Sequence, residues 1–229
     1  AVPFLKQFLY KQGLRLPNVA ATALSRIGSD ESFEVLAEVY VSNPDSYSGR
    51  KAGKALRSIN REWFVDLLLD QIISSNVQDD TKRIFLQAML GSTTLKCADT
   101  LLALLSNEEL SNIAAWNLSH LIHEDYVFNR TMERTYSENP IEQSSAIWVL
   151  EKHFIAKPFL LERYEKHDSP VEVRRTVAYL YKDSNLKKKL INYSMDPDQE
   201  VRDIVFRYFI DRSMIGDYYI ARDKRKTSK

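Results

Sequence analysis

The sequence predicts an all-α fold in which six to seven helical hairpins stack into an α-α superhelix, or solenoid. A signature of small and aliphatic residues recurs seven times, and its last members are separated by 28 to 33 residues. A fixed period in this range is typical of stacked supersecondary units. Six glycines and seven prolines in 229 residues are too few for a loop-rich all-β protein. The last members of the seven signatures are Leu24, Leu56, Met89, Leu118, Leu150, Tyr181 and Phe209.

Each period is predicted to contain two helices, after a capping helix over 2–12 that has no pair. The predicted pairs are 17–28 with 31–42, 45–60 with 62–75, 78–91 with 94–105, 107–122 with 124–138, 140–153 with 157–167, and 168–182 with 184–195. The clearest start is Asp168-Ser169-Pro170, because Asp and Ser accept unpaired backbone N–H groups and Pro fits the first helical turn. Asp196-Pro197-Asp198 then begins the next unit. No Gly/Ser/Pro-rich linker interrupts the period, so we expect one repeat domain over 1–221.

The charge distribution separates a basic C-terminal tail, 222–229, from the rest of the chain. The formal net charge is +1, and the tail has five cationic side chains against one Asp. Residues 1–221 are therefore slightly acidic, which is unfavourable for a protein that binds polyanions over its whole surface. The tail is predicted to make an electrostatic contact or to keep the chain in solution.

The last two periods share a spaced pattern of Asp, Pro, Val and Arg. It reads Asp168-x-Pro170-x-x-Val173-Arg174-x-x-Val177-Ala178-x-Leu180, followed by Asp196-Pro197-x-x-x-Val201-Arg202. This pattern resembles the HEAT repeat, and the period of about 30 residues resembles the HEAT-like units of phycobilin lyases. The resemblance implies a structural ladder, in which the arginine of one unit bridges an acidic or carbonyl group of its neighbour. The predicted ladder residues are Asp168, Arg174, Asp196 and Arg202.

The position two residues before the last member of each signature predicts a partner-binding surface. On a helix, a residue two positions after Ala114 points about 200° away from it and should face outward. Trp116, Trp148 and Tyr179 would then form an aromatic stripe, and one turn earlier the same face has Arg50, Arg83 and Arg175. Trp, Tyr and Arg dominate binding hot spots. In the alternative interpretation the rings lie between neighbouring repeats, as a shift of one residue in the register would produce. The position itself is occupied by Thr22, Lys54, Gln87, Trp116, Trp148, Tyr179 and Arg207.

The sequence predicts neither catalysis nor a metal or other cofactor. His120 and His123 share a helix face, but no Cys, Asp or Glu completes a metal-binding set with them. The chain contains no phosphate-binding loop, nucleophile elbow or His-Glu-x-x-His motif. The single cysteine, Cys97, suits a reducing compartment, and no apolar run approaches the roughly 20 residues that span a membrane. We therefore expect a cytoplasmic protein without membrane segments that is not an enzyme.

Two functions follow from these observations. The first is a protein–protein interaction scaffold that holds a partner protein or peptide along the concave face of the solenoid. The second is nucleic-acid binding through Arg50, Arg83, Arg175 and the basic tail. Ser145-Ala146-Ile147-Trp148-Val149-Leu150-Glu151-Lys152 resembles a helix of the HEAT-like DNA alkylation-repair glycosylases, which implies DNA binding. The paired aromatics followed by Asp that carry catalysis in that family are missing, so a glycosylase-like or lyase-like enzyme is the remote alternative.

Overall fold

The computed structural model describes residues 1–11, 15–59, 61–90, 93–151, 153, 156–164, 169–183, 186–212, 216 and 219. These residues are predominantly helical, and no strand occurs among them. The predicted all-α class is therefore confirmed for the described part of the chain. Asp168 of the predicted ladder and the basic tail over 222–229 lie outside it. Internal contacts divide the chain into two compact units, 1–100 and 101–229, which we describe separately.

The first unit consists of helices that pack against their neighbours along the chain. Helix α2 packs against α1, α3 and α4, and α4 also packs against α3 and α5. Ser29 caps α3 by accepting from the backbone N–H of Ser32, and Asp30 and Glu31 occupy the first turn, where acidic side chains favour the helix dipole. The helices are α1 (Val2–Leu9), α2 (Arg15–Ile27), α3 (Asp30–Ser42), α4 (Tyr47–Ile59), α5 (Arg61–Ile73), α6 (Asp79–Met89) and α7 (Ala98–Ala103), which crosses into the second unit; a 3₁₀ turn over Leu95–Cys97 precedes α7.

The second unit contains a row of helices that pack in succession. Helix α10 contacts α8 and α12, and α12 contacts α14, while α9 and α11 pack against α10. Asp198 caps α14 by accepting from the backbone N–H of Val201 at 3.0 Å. The helices are α8 (Ser111–Ser119), α9 (Asp125–Arg134), α10 (Pro140–Glu151), α11 (Ala156–Arg163), α12 (Val171–Asp183), α13 (Lys187–Leu190) and α14 (Gln199–Asp211), with 3₁₀ turns over Leu104–Ser106 and Ile191–Met195.

Two predicted helices are shorter than expected and continue as 3₁₀ turns. The predicted helix over 94–105 is α7 between two 3₁₀ turns, and that over 184–195 is α13 followed by one. In these turns a backbone N–H donates to the carbonyl oxygen three residues earlier. Cys97 N–H donates to the Thr94 carbonyl at 2.9 Å, and Asp196 N–H donates to the Tyr193 carbonyl at 3.1 Å. Such bonds tighten the last turn of a helix and limit its length.

Helix α8 is also shorter than the predicted range of 107–122. The Asn107 side-chain oxygen accepts from the backbone N–H groups of Glu109 and Leu110, both at 2.9 Å, and holds this segment as a turn. At the other end, the Ser119 hydroxyl donates to the Trp116 carbonyl at 2.7 Å. Local side-chain bonds of this kind compete with the helical pattern, so α8 begins at Ser111 and ends at Ser119.

The repeated signature supplies the core of each unit. All seven of its last members are at most 1% exposed. Small residues are buried at the same period, and Ala114, Ala146 and Ala178 are all 0% exposed in the second unit. A methyl group at these positions allows neighbouring helices to approach closely. In the first unit the Tyr40 ring packs against Phe64 and Phe85, with centroid distances of 5.6 Å for both pairs.

Candidate partner-binding surface

The aromatic stripe lies on three successive helices of the row in the second unit. Trp116 is on α8, Trp148 on α10 and Tyr179 on α12. Helix α8 buries Ala114, Ala115 and Leu118, which places Trp116 on the opposite face. Trp116 is 50% exposed and Tyr179 is 40% exposed, whereas Trp148 is half-buried. These exposures favour the outward orientation for Trp116 and Tyr179, and Trp148 is intermediate between the two interpretations.

The two tryptophans of the stripe form a contact between helices. Their ring centroids are 5.8 Å apart at an interplanar angle of 31°. The His120 ring is 6.3 Å from that of Trp116, and its Nδ1 lies 2.9 Å from the Trp116 carbonyl oxygen. Trp148 thus supports one side of Trp116 and His120 another. At the next helix, the Lys182 ammonium group lies 5.7 Å from the Tyr179 ring centroid, within range of a cation–π interaction.

The three arginines predicted beside the aromatic stripe have different environments. Arg175 bonds Asp198 through Nε at 3.1 Å and through a terminal nitrogen at 2.8 Å, and contacts Glu200 at 3.1 Å. Arg175 therefore joins α12 to the first turn of α14. The sequence pattern predicted such a bridge for the adjacent residue, Arg174. Arg50 forms an exposed ion pair with Asp45, and Arg83 is half-buried. Arg50 and Arg83 belong to the first unit.

The Arg175 pair changes the proton affinity of both partners. The hydrogen bond from Arg175 lowers the pKa of Asp198 to about 2, and the backbone N–H of Val201 adds to this shift. The same bond to Asp198 raises the pKa of Arg175. Because both groups remain charged at neutral pH, a partner that recruits Arg175 has to compete with carboxylates already in place.

Two of the four predicted ladder residues, Arg174 and Asp196, form an ion pair. Arg174 donates to both carboxylate oxygens of Asp196, at 2.9 and 3.1 Å, and to the Ser169 carbonyl at 2.7 Å. The pKa of Arg174 is raised by its bond to Asp196. Arg202 differs from the expectation, because it donates to the carbonyls of Asp196 and Pro197 at 2.6 and 2.7 Å, just before its own helix. It thus fixes the turn that begins its unit.

A second feature, which the repeat pattern did not predict, lies on α4 in the first unit. Arg50, Lys54 and Arg57 line one side of a groove of about 440 Å³, and we call this feature the basic groove. Lys54 occupies the same position in its signature as Trp116 does in α8. The signal in the sequence was the spacing of three cations at i, i+4 and i+7, which puts them on one helix face.

The histidines and acidic residues do not assemble into a metal site in the described ranges. No group of three or more His, Cys, Asp or Glu side chains there could hold a metal ion. His123, which the sequence placed with His120, packs instead against His153, with ring centroids 5.6 Å apart, and the His153 ring also contacts Phe128 at 4.7 Å. None of the helices in these ranges is long and apolar enough to cross a membrane.

Comparisons with known proteins do not identify the chain. No model of a known protein family matches it, and a search of curated proteins found no match. The geometry of the aromatic stripe and the basic groove is therefore the basis for a function.

Proposed function

We propose that this chain is a HEAT-like repeat protein of the cytoplasm that holds an extended segment of a partner protein along the aromatic stripe. The observation that carries the proposal is the exposure of Trp116, which remains 50% exposed although it packs against Trp148. Large aromatic side chains in such settings are typical anchors of protein interfaces. No catalytic step or cofactor is part of this function. The lone buried thiol of Cys97 supports the assignment to a reducing compartment.

A partner that covers Trp116 would remove apolar surface of this ring from water. An aromatic side chain buries about 150 to 250 Å² when it is removed from water. Covering the exposed half of Trp116 would therefore remove roughly 100 Å², which contributes about 2.5 kcal/mol at about 25 cal/mol per Å². The support from Trp148 and His120 reduces the side-chain entropy that binding would cost, because the Trp116 ring is already held.

The order of the helices supports both the solenoid arrangement within the second unit and an extended ligand. The stripe residues lie on α8, α10 and α12, and each of these helices packs against the next. Packed helices are about 8 to 10 Å apart, so the three rings extend over roughly 20 Å. An extended peptide advances about 3.3 Å per residue, and about six residues would therefore reach from Trp116 to Tyr179.

Affinity measurements on the full-length chain test this proposal. A partner is first captured from cell extract and identified by mass spectrometry, and its affinity is then measured for Trp116→Ala and Tyr179→Ala. We expect each substitution to weaken binding about 30-fold, which corresponds to about 2 kcal/mol at a hot spot. Trp63→Ala is the matched control, because Trp63 is 37% exposed but lies outside the stripe. It should leave the affinity nearly unchanged.

Two outcomes would contradict the proposal. Equal loss of affinity in Trp63→Ala and Trp116→Ala would show that the stripe is not the site. A loss of about 3 to 5 kcal/mol of unfolding free energy in Trp116→Ala would identify the ring as a wedge between repeats. The dependence of affinity on salt concentration distinguishes the nucleic-acid alternative from the proposal. Binding to phosphates weakens steeply as salt is added, whereas largely apolar binding does not.

A further inference from the structure

The basic groove concentrates positive charge on one face of a single helix. Helix α4 has four cationic residues, Arg50, Lys51, Lys54 and Arg57, and no acidic residue between Tyr47 and Ile59. At a rise of 1.5 Å per residue, Arg50 and Lys54 are about 6 Å apart along the axis and Arg57 is about 4.5 Å further. Three of the four cations therefore line the groove within roughly 10 Å.

No acidic side chain is among the described residues that line the groove, although Arg50 pairs with Asp45 outside it. Its other described lining residues are neutral and include Tyr40, Phe64 and Gln87. Lys54 is exposed and has no ion-pair partner among the described residues. The pair of Arg50 with Asp45 is highly exposed, with side chains 60% and 80% accessible. Such exposed pairs add little to stability. Arg50 also donates to the Asp45 backbone carbonyl, so a ligand carboxylate would replace both of these contacts.

The walls of the groove are held in place by packing. Arg57 donates to the Ala88 carbonyl of α6 and lies over the Phe64 ring, 5.7 Å from its centroid. Gly53 permits the Tyr40 ring to pack against α4, because a Cβ at this position would lie 2.6 Å from a ring carbon. The walls of the groove are therefore already in place before a ligand binds, and only the Arg50 side chain has to exchange its partner.

We infer that the basic groove binds an acidic segment of a protein in extended conformation, with carboxylates on Arg50 and Lys54. Side chains on one face of an extended peptide are about 6.6 to 6.8 Å apart, which matches the spacing of these two cations. Aliphatic residues of the segment would pack against the apolar lining, which includes Ile84 and Ala88. The site is separate from the aromatic stripe, and the inference does not depend on the function proposed for it.

Nucleic acid fits the groove less well. Binding of single strands relies on aromatic rings on which bases stack, but Tyr40 is 4% exposed and Phe64 is 0% exposed. Binding of duplexes relies on many phosphate contacts along the backbone, whereas the three cations of the groove span only roughly 10 Å along α4. A short acidic peptide uses both the charge and the apolar lining.

Fluorescence anisotropy with two labelled peptides tests the inference on the full-length chain. The probe alternates Glu with Leu, and the neutral control alternates Gln with Leu. We expect the acidic peptide alone to bind, and Lys54→Glu to weaken its binding at least tenfold. Lys82→Glu is the matched control, because it changes the net charge equally but lies two residues from Ile84, about 200° around α6. It should change the affinity less than twofold.

Three outcomes would overturn the inference. The first is an equal loss of affinity in Lys54→Glu and Lys82→Glu, which would show attraction to net charge alone. The second is tighter binding of a labelled oligothymidine, which would make the groove a nucleic-acid site. The third is no binding of the acidic peptide by a chain whose unfolding midpoint is normal. Trp116→Ala should leave peptide binding unchanged, so failure of the stripe and failure of the groove are distinguishable.

Discussion

Arg174 donates hydrogen bonds to both carboxylate oxygens of Asp196, which lies 22 residues later in the sequence. The two side chains are 15% and 3% exposed, so the pair is largely shielded from water. Asp196 also accepts from the backbone N–H of Asp198 at 2.9 Å. The pair therefore connects α12 to the turn that begins α14, and removal of one partner would leave a buried charge without compensation.

We predict that Asp196→Asn lowers the free energy of unfolding by about 3 kcal/mol, because Arg174 keeps its charge but loses the carboxylate. Urea denaturation measures the change. The control is Glu133→Gln, which breaks the Arg130–Glu133 contact of 2.6 Å between side chains that are 44% and 61% exposed. Exposed pairs contribute little, so this variant should lose less than about 1 kcal/mol. Equal losses in the two variants would refute a structural role for the buried pair.

A second prediction concerns the buried alanines. Ala114→Leu should lower the free energy of unfolding by about 1 to 3 kcal/mol, because Ala114 is 0% exposed and extra methyl groups would overpack α8. Ala103→Leu introduces the same change at an exposed position of α7 and should have little effect. An unchanged denaturation midpoint for Ala114→Leu would mean that the helix register is wrong.

Gly49 should tolerate alanine poorly. A Cβ there would lie 2.0 Å from the Asn43 carbonyl oxygen, which is backbone and cannot rotate away. The clash outweighs the gain in helix propensity of about 1 kcal/mol, and we expect a net destabilisation of about 1 to 3 kcal/mol. Gly216→Ala is the control, since no atom of the described residues lies within 4 Å of its added methyl group. Thermal unfolding compares them, and a Gly49→Ala variant as stable as the parent would contradict the close packing.

The pair of Arg175 with Asp198 predicts a specific acid sensitivity. The pKa of Asp198 is about 2 in the folded protein, below the usual value for an aspartate. The Asp198 carboxylate therefore makes its full contribution to stability above about pH 4. This contribution is lost as the pH falls from about 4 to about 2. Asp198→Asn keeps a side-chain oxygen for the helix cap but removes the charge. It should be less stable than the parent at pH 7 and show a weaker dependence of unfolding free energy on pH between 4 and 2. Identical pH profiles would disprove the linkage.

The recurring signature could be interpreted from sequence because its information is local. A helix repeats every 3.6 residues, so the positions of Leu118 and Leu150 in their signatures indicate which face is buried without knowledge of the neighbours. The same reasoning placed Trp116 opposite Ala114 and predicted its exposure. The ends of the helices were harder to predict from the sequence. Asn107 and Ser119 bond to the backbone through their side chains, and the spacing of the repeats carries no information about these bonds.

Hydrophobic spacing along one chain was sufficient to predict the all-α class, the period of the helices and the residues that form the core of each unit. The pairing of charged groups, in contrast, could be assigned only from the packed helices. Arg174 and Arg175 are adjacent and chemically identical, yet each selects a different carboxylate more than 20 residues away. No carboxylate is among the described residues that line the groove of Lys54, whereas Arg175 contacts two. Charge pairing depends on distances of a few ångströms between separate helices, and packing alone sets those distances.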